Sequence, residues 1–108
     1  MRVVMRRVII LVLLQIASAA SALAGEVVQV KIIDLSFSPA EITVKVGDTV
    51  EWVNGDFIDH TATANSGDWD VMIVAEKSAR LQLTHSGTIA YFCRIHPGMT
   101  GTINIIAE

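Results

Sequence analysis

One short segment near the end of the chain contains residue types that commonly bind metals. Cys93, His96 and Met99 are spaced three residues apart and follow an alternating run, 88–92, that is typical of a strand. A loop that curls after such a strand can direct all three side chains toward one centre. His60 begins a separate run, 60–64, and can complete the set from a neighbouring element. These four residues are therefore a candidate metal site.

The donor types in this candidate site favour copper. Two imidazoles, a thiolate and a weakly bound thioether are the ligands of blue-copper electron-transfer sites. Sulfur donors favour Cu(I) and imidazoles also suit Cu(II), so neither oxidation state is strongly disfavoured. Zinc could use the same four groups, but zinc sites are built mainly from Cys, His and carboxylates, and a catalytic zinc keeps one position open for water. Copper therefore fits the donor set better than zinc.

The first 24 residues are predicted to be a secretory signal peptide. Arg6 and Arg7 precede a short apolar run, 8–14, and small residues then lead to Ala22-Leu23-Ala24. An uncleaved membrane anchor is the alternative, but the apolar run is much shorter than the ~20 residues needed to cross a bilayer. We therefore predict cleavage after Ala24 and a periplasmic mature protein that is not attached to the membrane.

The remaining residues, 25–108, have the composition of an ordinary globular domain. Three of the eight Lys and Arg residues lie in the predicted signal peptide, so five remain against eleven Asp and Glu, a net charge of −6. A nucleic-acid binder normally carries the opposite charge, so that class is excluded. A single cysteine excludes an internal disulfide framework. An unpaired thiol outside the cytoplasm must be buried or bound to avoid oxidation.

Short alternating runs in this part of the chain predict one small all-β domain. A turn of helix is possible at 71–75, but no other window has helical periodicity. About seven short strands separated by turn residues favour a Greek-key β-sandwich. The predicted strands are 28–32, 42–46, 50–52, 60–64, 79–84, 88–92 and 102–105.

The sequence resembles the cupredoxins, or type 1 blue copper proteins, and within them the amicyanin and plastocyanin-like group. The resemblance is carried by residues 37–54, by His60-Thr61, and by 87–103 with its short Cys-x-x-His-x-x-Met loop. It implies a cupredoxin-like sandwich with one copper ion. It also implies that His60, Cys93 and His96 are the trigonal ligands and that Met99 is the long axial ligand.

The resemblance also assigns a supporting role to Asn54, six residues before His60. In the family, an asparagine shortly before the first histidine helps tie the two ligand-bearing loops together. Its backbone amide can donate a hydrogen bond to the ligand sulfur, and such donors tune redox potential. We therefore expect Asn54 to lie beside the site without binding the metal.

The leading functional interpretation is a monomeric one-electron carrier that cycles Cu(II)/Cu(I) between a donor and an acceptor protein. The alternative is a copper storage, delivery or resistance protein, which the ligands alone do not exclude. Catalysis is disfavoured, because a Cys–His nucleophile pair needs an oriented third group and an oxyanion site, and the sequence indicates neither of them. A multicopper oxidase would need further histidine clusters, and the chain has only three histidines. We therefore predict that the protein is not an enzyme.

Overall fold

The computed structural model describes residues 25–107, and the predicted signal peptide lies outside them. The described residues form nine strands and no helix. The strands are β1 (Val27–Ile33), β2 (Ser36–Ser38), β3 (Glu41–Lys45), β4 (Thr49–Asn54), β5 (His60–Ala64), β6 (Asp70–Ile73), β7 (Ser78–Gln82), β8 (Gly87–Phe92) and β9 (Thr100–Ile106). Within residues 25–107, no helix is long and apolar enough to span a membrane.

The strands form two sheets whose order departs from chain order. One sheet has the order β2-β1-β4-β7 and the other the order β3-β9-β8-β5-β6. Two pairs, β1 with β4 and β3 with β9, are parallel, and the remaining pairs are antiparallel. Such crossovers between sheets are typical of Greek-key sandwiches, so the predicted all-β architecture is confirmed.

All seven predicted strands are present, but the predicted number is too low. The structure adds β2 and β6, each at the edge of its sheet. The possible helical turn at 71–75 is wrong, because residues 71–73 belong to β6 and pair with β5. The additional strands extend the two sheets without changing the fold class.

The core lies between the two sheets and follows the two-residue period of the strands. In β4 the side chains of Val50 and Trp52 are fully buried, while their neighbours along the strand are only partly buried. Trp52 Nε1–H donates to the Tyr91 hydroxyl over 3.2 Å and so links the two sheets. Gly101 pairs with Tyr91, and a Cβ at that glycine would collide with the Tyr91 ring. The aromatic core therefore depends on a glycine in the adjacent strand.

The sheet order also brings the candidate metal-binding segments to one end of the sandwich. β5 begins at His60, and β8 ends one residue before Cys93. The two strands are antiparallel neighbours, with Thr63 opposite Phe92. The start of β5 therefore lies beside the segment that leaves β8, and two connecting loops, 55–59 and 93–99, meet there.

Candidate metal centre

Three predicted ligands converge at this end of the sandwich. The Sγ atom of Cys93 lies 3.8 Å from Nδ1 of His60 and 3.9 Å from Nδ1 of His96. One donor atom from each of these residues lies within 4.8 Å of the other two. Metal–nitrogen and metal–sulfur bonds of about 2.0–2.3 Å separate neighbouring ligand atoms by about 3.5–3.8 Å. The observed spacing therefore suits one metal ion among the three residues.

Met99, the predicted fourth ligand, lies in the same loop and is buried. Its backbone N–H donates to the carbonyl of His96 over 2.9 Å, and its carbonyl accepts the N–H of Cys93 over 3.0 Å. These two bonds fold the loop back on itself. They hold the backbone of Met99 beside Cys93 at the end of β8.

The sulfur of Cys93 is enclosed by groups that favour its ionised form. The side chain has no exposure to solvent, and Thr61 N–H donates to Sγ over 3.3 Å. Burial raises the pKa of the thiol, but the Thr61 amide and the imidazoles of His60 and His96 outweigh it and lower the pKa to about 6. The site therefore presents a thiolate, which is the form of cysteine that binds metals.

The ring of His60 is oriented by a carboxylate that sequence reasoning did not single out. Nε2 of His60 lies 2.8 Å from Oδ2 of Asp56, which leaves Nδ1 facing Cys93. The amide of Leu35 lowers the pKa of Asp56, and the contacts with His60 and the Asp34 amide act in the same direction. An ionised Asp56 accepts a hydrogen bond from Nε2–H, which leaves the Nδ1 lone pair of His60 free for a metal. The spacing of four residues between Asp56 and His60 is the only sequence signal for this contact.

The same carboxylate stabilises the turn between β1 and β2. Asp34 and Leu35 have φ angles of 52° and 59°, in the left-handed region that side chains disfavour. The N–H of Asp34 donates to Asp56 Oδ1 over 2.8 Å, and the N–H of Leu35 donates to Oδ2 over 3.0 Å. Asp56 thus joins this strained turn to the ring of His60.

The structure contradicts the role predicted for the backbone amide of Asn54. Its N–H donates to the Lys77 carbonyl over 2.9 Å, and the amide that reaches sulfur belongs to Thr61. The Asn54 side chain instead donates to the carbonyls of Ile58 and Ile73, and it accepts the N–H of Asp56. Asn54 therefore fixes the loop that leads to His60.

Comparison with known proteins identifies the family. The family described as "Cupredoxin-like domain" matches residues 6–105. The chain is a cupredoxin.

Curated relatives of this cupredoxin are about 30% identical to it. Amicyanin of Paracoccus denitrificans is 32% identical over 91 residues, which cover 79% of this chain and 70% of that protein. Amicyanin of Paracoccus versutus is 30% identical over 91 residues, covering 79% of this chain and 69% of that protein. Plastocyanin of Scenedesmus fuscus is 29% identical over 85 residues, which cover 66% of this chain and 87% of that protein.

Solved structures agree with this assignment. The crystal structure of Paracoccus versutus amicyanin matches with a TM-score of 0.66 at 29% identity, covering 74% of this cupredoxin and 81% of that chain. A reduced Cu(I) form of an amicyanin variant at pH 4 matches with a TM-score of 0.66 at 31% identity, covering 74% and 82%.

The cofactor of this cupredoxin is one type 1 copper ion. The residues present fit it, because a buried thiolate and two imidazole nitrogens with suitable spacing are the donors that such a site requires. Of the three side chains, only that of His96 is partly exposed. Exposed apolar side chains occur in both connecting loops, with Phe57 86% exposed and Ile58 and Ile95 close to half exposed. The metal end therefore presents apolar surface beside the one accessible ligand candidate.

Proposed function

We propose that this cupredoxin is a periplasmic one-electron carrier that binds copper through His60, Cys93, His96 and Met99. The observation that carries the proposal is the convergence of one thiolate and two imidazoles on a single point. Copper held there supplies reversible exchange of one electron between the Cu(II) and Cu(I) states. The relationship to amicyanins and to a plastocyanin supports the assignment.

Contacts within the chain support the proposed ligands. Thr61 N–H supports the sulfur of Cys93, and Asp56 fixes the ring of His60. The backbone bonds of Met99 close the loop that carries His96. A preorganised ligand set changes little when the metal charge changes, and this favours rapid electron exchange.

We propose that electrons enter and leave through the exposed edge of His96. Phe57, Ile58 and Ile95 expose apolar surface on the two loops that meet at this end, and such surface commonly marks a protein contact. The net charge of −6 on residues 25–108 favours encounter with redox proteins that carry basic surface. The periplasmic location rests on the signal peptide predicted over residues 1–24.

The electron-carrier proposal predicts an intense blue colour for the oxidised, copper-loaded protein, because Cys93 supplies a thiolate to the metal. Cys93→Ser should abolish this colour. His85→Ala is a matched control, since it removes the one histidine that lies in an exposed turn away from the donor cluster. Visible absorption spectra of the wild-type protein and both variants measure the effect. A colourless wild-type copper(II) complex would overturn the type 1 site.

Reversible electrochemistry separates an electron carrier from a copper delivery protein. A carrier should cycle repeatedly between its two states without losing copper, even beside a Cu(I) chelator that competes for the metal. Rapid transfer of Cu(I) to the chelator would favour delivery instead.

Copper should also raise the unfolding temperature, because a ligand that binds only the folded state stabilises it.

A further inference from the structure

A chain of hydrogen bonds connects an ion pair on the surface to the loop that carries Cys93. Arg94 Nε and Asp70 Oδ1 lie 3.0 Å apart, and both side chains are close to half exposed. The Thr63 hydroxyl lies 2.6 Å from the same carboxylate oxygen. Thr63 Oγ1 and Thr61 Oγ1 are 2.9 Å apart, and the backbone N–H of Arg94 reaches Thr61 Oγ1 over 2.8 Å. Four residues thus form a closed circuit beside Cys93.

The carboxylate of Asp70 determines the direction of every hydrogen bond in this chain. An ionised carboxylate only accepts, so the Thr63 hydroxyl must donate to it. The oxygen of Thr63 then accepts from the Thr61 hydroxyl. The oxygen of Thr61 is left to accept the N–H of Arg94. The ion pair with Arg94 lowers the pKa of Asp70, and the hydroxyl of Thr63 lowers it further, so the carboxylate is ionised at neutral pH.

Both threonine hydroxyls depend on this arrangement because they are buried. Thr61 has no exposure and Thr63 has 9%. A buried hydroxyl without a partner is unfavourable, and water has little access to replace one. Without an acceptor at Asp70, the hydroxyls of Thr63 and Thr61 lose the group that sets their orientation.

Thr61 is the point at which this chain reaches the metal site. Its backbone N–H donates to Sγ of Cys93. Its side-chain oxygen accepts the backbone N–H of Arg94, the residue that follows Cys93. Thr61 therefore contacts both the sulfur of Cys93 and the peptide bond that follows Cys93. In this way Thr61 connects the chain of hydrogen bonds to the thiolate.

We propose that Asp70 is a positioning residue for Cys93 and that it acts through Thr63, Thr61 and Arg94. This inference rests on the proposed function, since it treats Cys93 as a copper ligand. A hydrogen bond to the thiolate stabilises the additional electron of the reduced state, and such contacts tune the potential of a metal site. Weakening the chain of hydrogen bonds should therefore lower the reduction potential.

The first test compares two substitutions of Thr63 that leave the charge of the protein unchanged. Thr63→Val keeps the shape of the side chain but removes the hydroxyl, whereas Thr63→Ser keeps the hydroxyl. We expect Thr63→Val to lower the reduction potential of the copper-loaded protein and Thr63→Ser to retain the wild-type value. Equal potentials in Thr63→Val and the wild-type protein would overturn the proposal.

The second test measures hydrogen exchange at the backbone amide of Arg94 by NMR, in copper-free protein and in the reduced, diamagnetic form. Asp70→Ala should accelerate exchange about two- to tenfold, the effect of losing one supporting hydrogen bond. Glu51→Ala is the control, because it removes the carboxylate of another arginine ion pair in the other sheet. Unchanged exchange in Asp70→Ala would overturn the proposal, even if Thr63→Val failed to fold.

A double variant distinguishes the relay from the ion pair alone. If Asp70 acts through Thr63, adding Thr63→Val to Asp70→Ala should cause little further change in Arg94 exchange. Fully additive effects would show that the two residues act separately and would overturn the relay. The exchange measurement in copper-free protein needs no metal. Unchanged Arg94 exchange would therefore overturn the role of Asp70 alone, whereas a colourless wild-type copper(II) complex would overturn the proposed function.

Discussion

The two loops that form the metal end are stabilised in different ways. Loop 55–59 is fixed by side chains, because Asn54 bonds to two carbonyls and Asp56 holds the ring of His60. Loop 93–99 is closed by backbone bonds between Met99 and its neighbours. His60 is fully buried, whereas His96 is partly exposed.

This difference shows how one site can be both rigid and accessible. The loop before His60 fixes one imidazole in the interior and keeps its outer nitrogen occupied by a carboxylate. The loop after β8 places the second imidazole at the surface, where its edge can approach another protein. We infer that the first loop sets the geometry of the site and the second provides access to it.

The largest expected difference between the loops is in rescue by a free ligand. His96→Gly and His60→Gly should both abolish the blue colour, since each removes a proposed copper ligand. Added imidazole should restore the colour in His96→Gly, because that position opens to solvent. It should fail in His60→Gly, because that position is fully buried. Titration with imidazole, followed by visible absorption, measures the effect.

Equal rescue of both variants would contradict the contrast between a buried and an accessible histidine. The variant His85→Gly controls for the loss of a histidine outside the metal site. His85→Gly should remain blue without imidazole, because His85 lies in an exposed turn outside the donor cluster.

A smaller difference is expected in stability. Asn54→Ala removes three hydrogen bonds made by a buried side chain and should lower the free energy of unfolding by about 2–4 kcal/mol. Ile95→Ala, in the other loop, truncates a side chain that is 46% exposed and should cost less than about 1 kcal/mol. Denaturant unfolding of the copper-free proteins measures both. Similar losses would show that the two loops contribute equally to the fold.

The fold could be predicted where strands alternate strictly between buried and exposed residues. In β3, β4 and β9 buried residues alternate with more exposed ones, whereas β5 is buried along its whole length. The two missed strands are edge strands that depend on a single neighbour. β2 has only three residues, and β6 contains an unbroken apolar run in which Met72 is 47% exposed. Their pairing is set by contacts with distant residues, which local periodicity does not reveal.

The candidate site could be predicted from donor types, but its supporting contacts could not. Cys93, His96 and Met99 are close in sequence, and His60 is recognisable by its residue type. The contact between Thr61 N–H and sulfur depends on the alignment of β5 with β8. The amide role predicted for Asn54 was wrong for this reason, since the sequence shows which residue types are present but not which amide faces the thiolate.

The other end of β4 provides a contrast without ligand candidates, at Asp48. Asp48 is buried, and its two carboxylate oxygens accept the N–H groups of Glu26 and Lys45 over 2.9 Å and 2.8 Å. The Lys45 amide, followed by the Glu26 amide, lowers the pKa of Asp48. A lowered pKa means that the carboxylate stabilises the folded state above its unfolded pKa of about 3.9, and that this contribution is lost as the pH falls.

Asp48→Asn should therefore lower the free energy of unfolding by about 1–2 kcal/mol at pH 7, since asparagine supplies one acceptor oxygen where aspartate supplies two. The difference from the wild-type protein should shrink as the pH falls below about 4, because Asp48 then protonates first in the unfolded chain and, with its lowered pKa, only at still lower pH in the folded state. Denaturant unfolding at pH 7 and pH 3, with and without copper at pH 7, measures both dependences. Because Asp48 precedes β4 and Asn54 ends it, we expect the Asp48→Asn effect to be independent of copper. A copper-dependent loss would show that the metal end is not organised separately from the opposite end of the sandwich.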